Sequence, residues 1–230
     1  MKLAQCIILD LLKDYDPVPL LPETCNFHFS GVQLLDQDNP TDDPSILYIG
    51  TTTQISSFNT EKLKDFCIIC IGKKEDVSSY IKNYQANLIL IPENHSLASV
   101  VNTLYTGFHR ILNWDGELQN AILRKQNYQS LFSIGGRFFG KNAMLMVNSS
   151  YNVIGTNLLE APGHEKLDFI LKNGYYSKDL TDGLAQMGYM AKGFQYKTPT
   201  ILNPPNYMNC PIMVLSMHAD NGIFLGFITI

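Results

Sequence analysis

Gly135-Gly136-Arg137-Phe138-Phe139-Gly140-Lys141-Asn142 has the G-x-x-x-x-G-K spacing of a phosphate-binding loop. Such a loop follows a strand and opens a helix, so that the helix N–H groups face the phosphates. Here the order is reversed: the segment closes an expected helix and leads into a strand. Asn142 stands where a hydroxyl would meet magnesium, and two Phe side chains occupy what should be bare backbone. The segment reads as a helix C-terminus capped by Gly140. Cys67-Ile68-Ile69-Cys70 has the C-x-x-C spacing. A redox or zinc pair needs both sulfurs on one side of a turn or helix start. On a strand, residues three apart point to opposite faces, so both cysteines read as core. The five histidines, His28, His95, His109, His164 and His218, have no metal-ligand spacing with another His or Cys. No G-x-S-x-G elbow is present, and no two carboxylates are spaced to act as an acid and a base. A Cys210–His218 pair within hydrogen-bonding reach is the one arrangement that would reopen catalysis. The chain is expected not to be an enzyme, and its residues imply no cofactor and no metal.

The elements around these residues belong to a chain of 230 residues. At about 150 residues per domain that means one large domain or two small ones. The apolar fraction is 45% and the charged fraction 17%, a globular composition rather than a disordered one. Residues 1–93 carry 13 acids and 7 bases, and residues 94–230 carry 8 acids and 10 bases. Neither half has the basic stripe of a nucleic-acid-binding domain. The longest apolar runs, such as Leu88–Ile91, fall far short of the roughly 18 residues of a membrane span. Asp10 interrupts the N-terminal apolar stretch, and no small-residue cleavage site follows it. With no export signal, the odd number of cysteines suits a reducing cytoplasm, and the glycosylation patterns at Asn94 and Asn148 carry no meaning.

Periodicity orders the elements. Leu3, Cys6, Ile7, Leu11 and Leu12 fall on one side of a helix over 1–15, which Pro17, Pro19 and Pro22 stop. A weak strand over 27–35 precedes an acidic loop at 36–45. Apolar runs at Ile46–Ile49, Cys67–Ile71 and Leu88–Ile91 alternate with helix-compatible segments near 57–65 and 75–84. That alternation predicts a small parallel βαβ domain over 1–93. Next comes a long helix, about 96–124, with an apolar seam at Leu97, Val101, Leu104, Phe108, Ile111, Leu118 and Ile122. The intervals are those of a heptad, with Gly116 marking a kink or a division. Either a globular core buries this seam, or the helix connects domains and pairs with its twin in a homodimer through Leu97, Val101, Leu104, Phe108 and Ile111. Asn127 caps a further helix to Phe139. Strands at 143–147 and 152–154, helices at 164–173 and 177–189, and strands at 196–202, 211–217 and 223–230 then predict an antiparallel α+β domain. The apolar ending GIFLGFITI suggests that the sequence is part of a longer protein.

Residues 107–154 resemble the middle of PucR/CdaR-type bacterial transcriptional regulators. The likeness is carried by Trp114-Asp115-Gly116-Glu117-Leu118, Ala121-Ile122-Leu123-Arg124 and Asn148-Ser149-Ser150-Tyr151-Asn152-Val153-Ile154-Gly155. The resemblance implies a GAF/PAS-like sensing domain at 125–230, joined by the 94–124 helix to an N-terminal sensory domain at 1–93. It also implies that DNA is bound only through a C-terminal helix-turn-helix domain outside these residues. The expected function is that of a cytoplasmic sensory and dimerisation region that binds a small-molecule effector, with no membrane contact. The alternative is an oligomerisation module whose pocket is collapsed and filled by Met and Phe. The second half is rich in Met, Phe and Tyr, Met190 and Phe194 included, a composition suited to an adaptable apolar pocket. The residues expected to line it are Tyr176, Met187, Tyr196, Met213, His218 and Phe224.

Overall fold

The computed structural model describes residues 2–21, 27–35, 43–56, 65–84, 87–140, 142–188, 196–203 and 211–230. Residues 36–42 of the acidic loop, residues 57–64 of the helix expected near 57–65, and Met190, Phe194 and Cys210 lie outside them. The protein is mixed α/β, with seven α-helices and both parallel and antiparallel strand pairing among the described residues. It divides into two compact units, Met1–Asp115 and Gly116–Ile230.

The first unit is built on a five-stranded sheet. Strands β4 (Gly31–Leu34), β5 (Ile46–Thr51), β6 (Cys67–Ile71) and β7 (Asn87–Ile91) pair in parallel in chain order. Strand β2 (Val18–Leu20) adds antiparallel to the β7 edge. Every residue of β6 and β7 is buried, as a parallel sheet covered on both faces requires. Ile55 of α2 (Thr52–Ser56) and Val77 of α3 (Lys74–Tyr84) pack with Tyr48, Ile68, Cys70, Leu88 and Leu90. By strand alternation Leu47, Ile49, Cys67, Ile69, Ile89 and Ile91 face the other way, and all are buried. Cys67 and Cys70 thus lie on opposite faces. No strand was expected at the prolines after residue 16. Pro19 is tolerated in β2 because an edge strand does not need every N–H.

The N-terminal helix differs from the expected one. Leu3–Ala4 form β1, which pairs with β3 (His28–Phe29), and α1 runs only over Gln5–Leu11, followed by a 3-10 turn at Lys13–Tyr15. Leu3, Ile8 and Leu12 are buried, whereas Cys6 and Ile7 are exposed. Strand pairing takes Leu3 off the helical repeat and turns the buried face of α1 by one residue.

Helix α4 (Leu97–Leu123) is continuous for 27 residues and passes through Gly116 without a division. Its first turn is capped by Ser96, whose hydroxyl accepts from the Ser99 N–H at 3.1 Å. The expected dimer seam requires correction. Leu104, Phe108 and Ile111 are buried within the chain, and Leu97 and Val101 are half-buried beside the fully buried Val100. The first unit packs on this face. A Cβ on Gly107 would stand 2.6 Å from the Leu11 side chain. The Tyr15 hydroxyl bonds the Ser99 and Thr103 hydroxyls at 2.8 and 2.7 Å, and the Tyr105 hydroxyl donates to the Val32 carbonyl at 2.9 Å. Leu104, Phe108 and Ile111 are core and so not free to meet a twin, whereas Ile122 is exposed. The boundary between the two compact units falls inside α4, at Asp115/Gly116.

The second unit is built on an antiparallel sheet of order β10-β11-β12-β8-β9. Its strands are β8 (Leu145–Asn148), β9 (Val153–Thr156), β10 (Thr200–Leu202), β11 (Ile212–His218) and β12 (Phe224–Thr229). The first and last strands are central neighbours, and α6 (Glu165–Asn173) and α7 (Lys178–Gln186) are inserted between β9 and β10. Ile170, Leu180 and Tyr176 from the helical insert pack on Leu145 and Val147. Helix α5 (Tyr128–Phe139) lies against β9. Asn127 caps it, its side-chain oxygen accepting from the Ser130 N–H at 2.9 Å. Gly140, with φ 70, ends it. The G-x-x-x-x-G spacing therefore falls on the last turn of a helix and not on a phosphate cradle.

Candidate functional site

A cleft of about 790 Å³ opens in the second unit where the ends of β8, β10, β11 and β12 meet the approach to α6. Leu145, Ile201, Ile212, Met213, Thr229 and Ile230 come from the strand ends. Leu158, Glu160, Ala161, Pro162, His164 and Leu167 come from the 157–164 loop and α6. Phe139, Asn142 and Ala143 close a third side. The volume suits a small organic molecule, and the mix of an apolar wall with a few polar groups is that of a ligand site.

Short-range chemistry holds the rim. The Asn157 side chain accepts from the Met144 N–H at 2.6 Å and donates to the Asn142 carbonyl at 2.8 Å. It thereby ties the strand before the cleft to the strand after it. The Leu158 N–H donates to the Thr156 hydroxyl at 3.2 Å. The Ala161 N–H donates to Asp168 Oδ1 at 3.3 Å, and Asp168 Oδ2 lies 2.6 Å from Lys172 Nζ. This hydrogen bond and ion pair hold the Asp168 carboxyl below its ordinary range, with the Lys172 bond the larger cause. At the C-terminal end of α6, Gly174 adopts φ 75 and its N–H returns to the Ile170 carbonyl. The turn carries the chain to Tyr176 before Ser177 caps α7.

Tyr176 is a buried polar group of the cleft. Its N–H donates to the Tyr151 carbonyl at 3.0 Å, and its ring packs against Tyr151 and Phe227. Burial pushes its phenol up to about 12, against a hydrogen bond from the Thr229 side chain that lowers it. The hydroxyl stays protonated at neutral pH, beside a Thr229 that is itself buried.

Two of the six expected residues, Tyr176 and Met213, share this cleft. The other four lie outside its lining. Met187 follows α7, where its N–H closes the helix on the Gly183 carbonyl. Tyr196 precedes β10, and its carbonyl accepts from the Ser216 N–H at 2.8 Å. His218 and Phe224 pair across β11 and β12, with ring centroids 5.7 Å apart. They sit at the far end of β11 from Ile212, about 20 Å away at the rise of a strand. A count of aromatic and Met residues marks the half of the chain but not the end of the sheet. Leu158, Glu160, His164, Ile212 and Thr229 escaped sequence reasoning. The available signal was the Ala161-Pro162-Gly163-His164 turn leading into a helix, which puts loop side chains over strand ends.

In the first unit, a groove of about 450 Å³ between α1 and α4 is lined by Asp10, Leu11, Lys13, Asn102, Thr103, Thr106, Gly107 and Arg110. Cys67 and Cys70 are buried thiols. Burial, with a smaller effect of Asp76, pushes Cys70 up to about 12, which leaves it without thiolate character. No helix of the described residues is long and apolar enough to cross a membrane. Set beside protein-family models and curated proteins, the chain matches none.

Proposed function

We propose that this chain is the sensory region of a cytoplasmic transcriptional regulator of the PucR/CdaR type, and that its second unit is a GAF/PAS-like sensor for a small metabolite. The observation that carries the reading is the open cleft of about 790 Å³ between the sheet and α6, apolar on its walls and closed at depth by the Tyr176–Thr229 pair. An antiparallel sheet whose first and last strands are central, with helices inserted after the second strand, is consistent with a GAF/PAS-like domain. Effector binding would be relayed through α4 to a DNA-binding domain outside these residues. A ligand held between loop 157–164 and the strand ends shifts the population only if it prefers one of two geometries. Homodimerisation belongs to the reading, but a dimer must use residues other than the buried Leu104, Phe108 and Ile111 of α4. The rival oligomerisation module expects a pocket packed shut by Met and Phe, and the open cleft favours the sensor.

A thermal-shift screen of the chain against a metabolite library, purines and organic acids included, tests the reading. A compound that binds the native state raises the melting temperature by mass action. L158W, which fills the cleft from its loop, should abolish the shift. A screen flat for a cooperatively melting protein, or a shift that L158W leaves unchanged, overturns the cleft as the sensor site.

A further inference from the structure

We infer that the cleft of the second unit selects ligands whose leading end carries a hydrogen-bond acceptor, a carbonyl oxygen in the simplest case, and that Tyr176 makes the selection by donating its phenol hydrogen. The inference rests on the sensor reading and narrows its ligand. Tyr176 and Thr229 both line the cleft, yet they are only 7% and 6% exposed. Their neighbours in the lining have little to pair with them. The side chains of Leu145, Leu167 and Met213 are apolar. The backbones of Met213 and Ile230 already bond each other in both senses, at 2.8 and 2.9 Å. Both hydroxyls are also held in place. Thr229 stands in mid-sheet, paired with Val214 of β11 on one side and Leu145 of β8 on the other. Tyr176 is fixed by its N–H to the Tyr151 carbonyl and by its ring on Phe227. Phe227 and Thr229 lie two residues apart on one face of β12, so a ring seated on the first brings its oxygen to the hydroxyl of the second. Each hydroxyl has one hydrogen to give. The bond between them uses one of the two, and the other has no acceptor among the described residues. Thr229 donating to the phenol oxygen leaves the phenol hydrogen, the stronger donor of the pair. Burial keeps that phenol protonated at neutral pH. A buried donor without a partner is costly, whereas a spare lone pair is tolerated. A ligand acceptor removes the cost. A ligand that brings only a donor, or only apolar surface, shuts the hydrogen away from water and leaves it unpaired.

The test uses two uncharged bicyclic probes of similar size and opposite hydrogen-bonding character: 1-indanone, which only accepts, and indole, which only donates. Each is titrated calorimetrically into the full chain and into its T229V, Y176F/T229V and L158W variants. The double variant removes both partners of one bond and keeps their shape, a change that folded proteins tolerate, and a melting curve verifies the fold of each variant. In the unaltered chain 1-indanone should bind about fivefold tighter than indole, the scale of one hydrogen bond. T229V should keep this preference, because the phenol still donates. Y176F/T229V should lose it, and L158W should weaken both probes. The ratio of the two affinities is the readout, because a merely structural loss would weaken both alike. If the unaltered chain binds the two equally, if the double variant keeps the preference, or if T229V alone abolishes it, Tyr176 is overturned as the selecting donor while the cleft stands as a site. Binding of neither probe, or binding that L158W does not weaken, overturns the cleft reading along with it.

Discussion

Single side chains differ sharply in how they meet solvent, and two consequences are measurable. Cys6 is exposed, whereas Cys67 and Cys70 are buried on opposite faces of β6. A thiol pushed up to about 12 by burial has neither the thiolate nor the access that alkylation needs. Peptide mapping after iodoacetamide should find Cys6 modified in the native protein and Cys67 and Cys70 modified only after denaturation. Rapid native labelling of Cys70 would contradict its placement. The Asp168 carboxyl, held below its ordinary value of 3.8 by Lys172 and the Ala161 N–H, gives a pH prediction. A carboxylate depressed in the folded state contributes stability above its unfolded pKa and loses it as pH falls through the folded one. Replacing it in D168N should flatten the loss of thermal stability below about pH 4, and melting curves across the acid range read this directly. The side chain lies at the surface, so the effect is modest. At this scale the sequence was legible where chemistry demands a spacing: the absence of a phosphate cradle and the opposed cysteines followed from residue order alone. It was not legible for the cleft, because Met213 differs from His218 only in which end of β11 it occupies, and Tyr176 reaches the cleft from the turn between α6 and α7.

At the scale of elements, boundaries followed local rules and faces did not. Asn127 begins α5 and Gly140 ends it, as their side-chain chemistry predicts. The expected strands at 143–147, 211–217 and 223–230 appear at Leu145–Asn148, Ile212–His218 and Phe224–Thr229. Two glycines separate local propensity from packing. A Cβ on Gly116, in mid-helix, would meet nothing within 4 Å. G116A should therefore stabilise the protein by about 0.5–1 kcal/mol through helix propensity and chain entropy. Gly226 in β12 has φ +146, and a Cβ there would stand 2.0 Å from the Val147 carbonyl oxygen. G226A should destabilise by about 3 kcal/mol, near the upper range for single substitutions. Urea melts of the two variants should move in opposite directions, and equal shifts would show that β12 does not approach β8 this closely. A division at Gly116 is absent because one glycine lowers helix propensity by only about 1 kcal/mol, which the flanking turns of a 27-residue helix outweigh.

For the whole molecule the deciding feature is the division at Asp115/Gly116. The heptad seam of α4 suits either an internal core or a partner helix, because both demand apolar residues at the same intervals. The first unit covers its Leu104, Phe108 and Ile111, and L104D tests this. Leu104 has no exposed surface, so a charge there has no partner and no water. Circular dichroism melts should show cooperative unfolding of the first unit lost, on the scale of several kcal/mol. A variant that stays folded and merely changes from dimer to monomer by light scattering would restore the seam as a protein contact.

What the sequence determined by itself is the order and kind of the elements: parallel strands first, a long helix, then antiparallel strands around a helical pair. These follow from period, turn chemistry and capping, which act within a few residues. Tertiary structure alone decided which face of α1 and α4 is buried, that Val18–Leu20 joins a sheet edge, and that loop 157–164 stands over the ends of strands more than 40 residues further along the chain. Those outcomes depend on contacts between residues far apart in sequence, where several arrangements bury the same apolar side chains and only the packed fold distinguishes them.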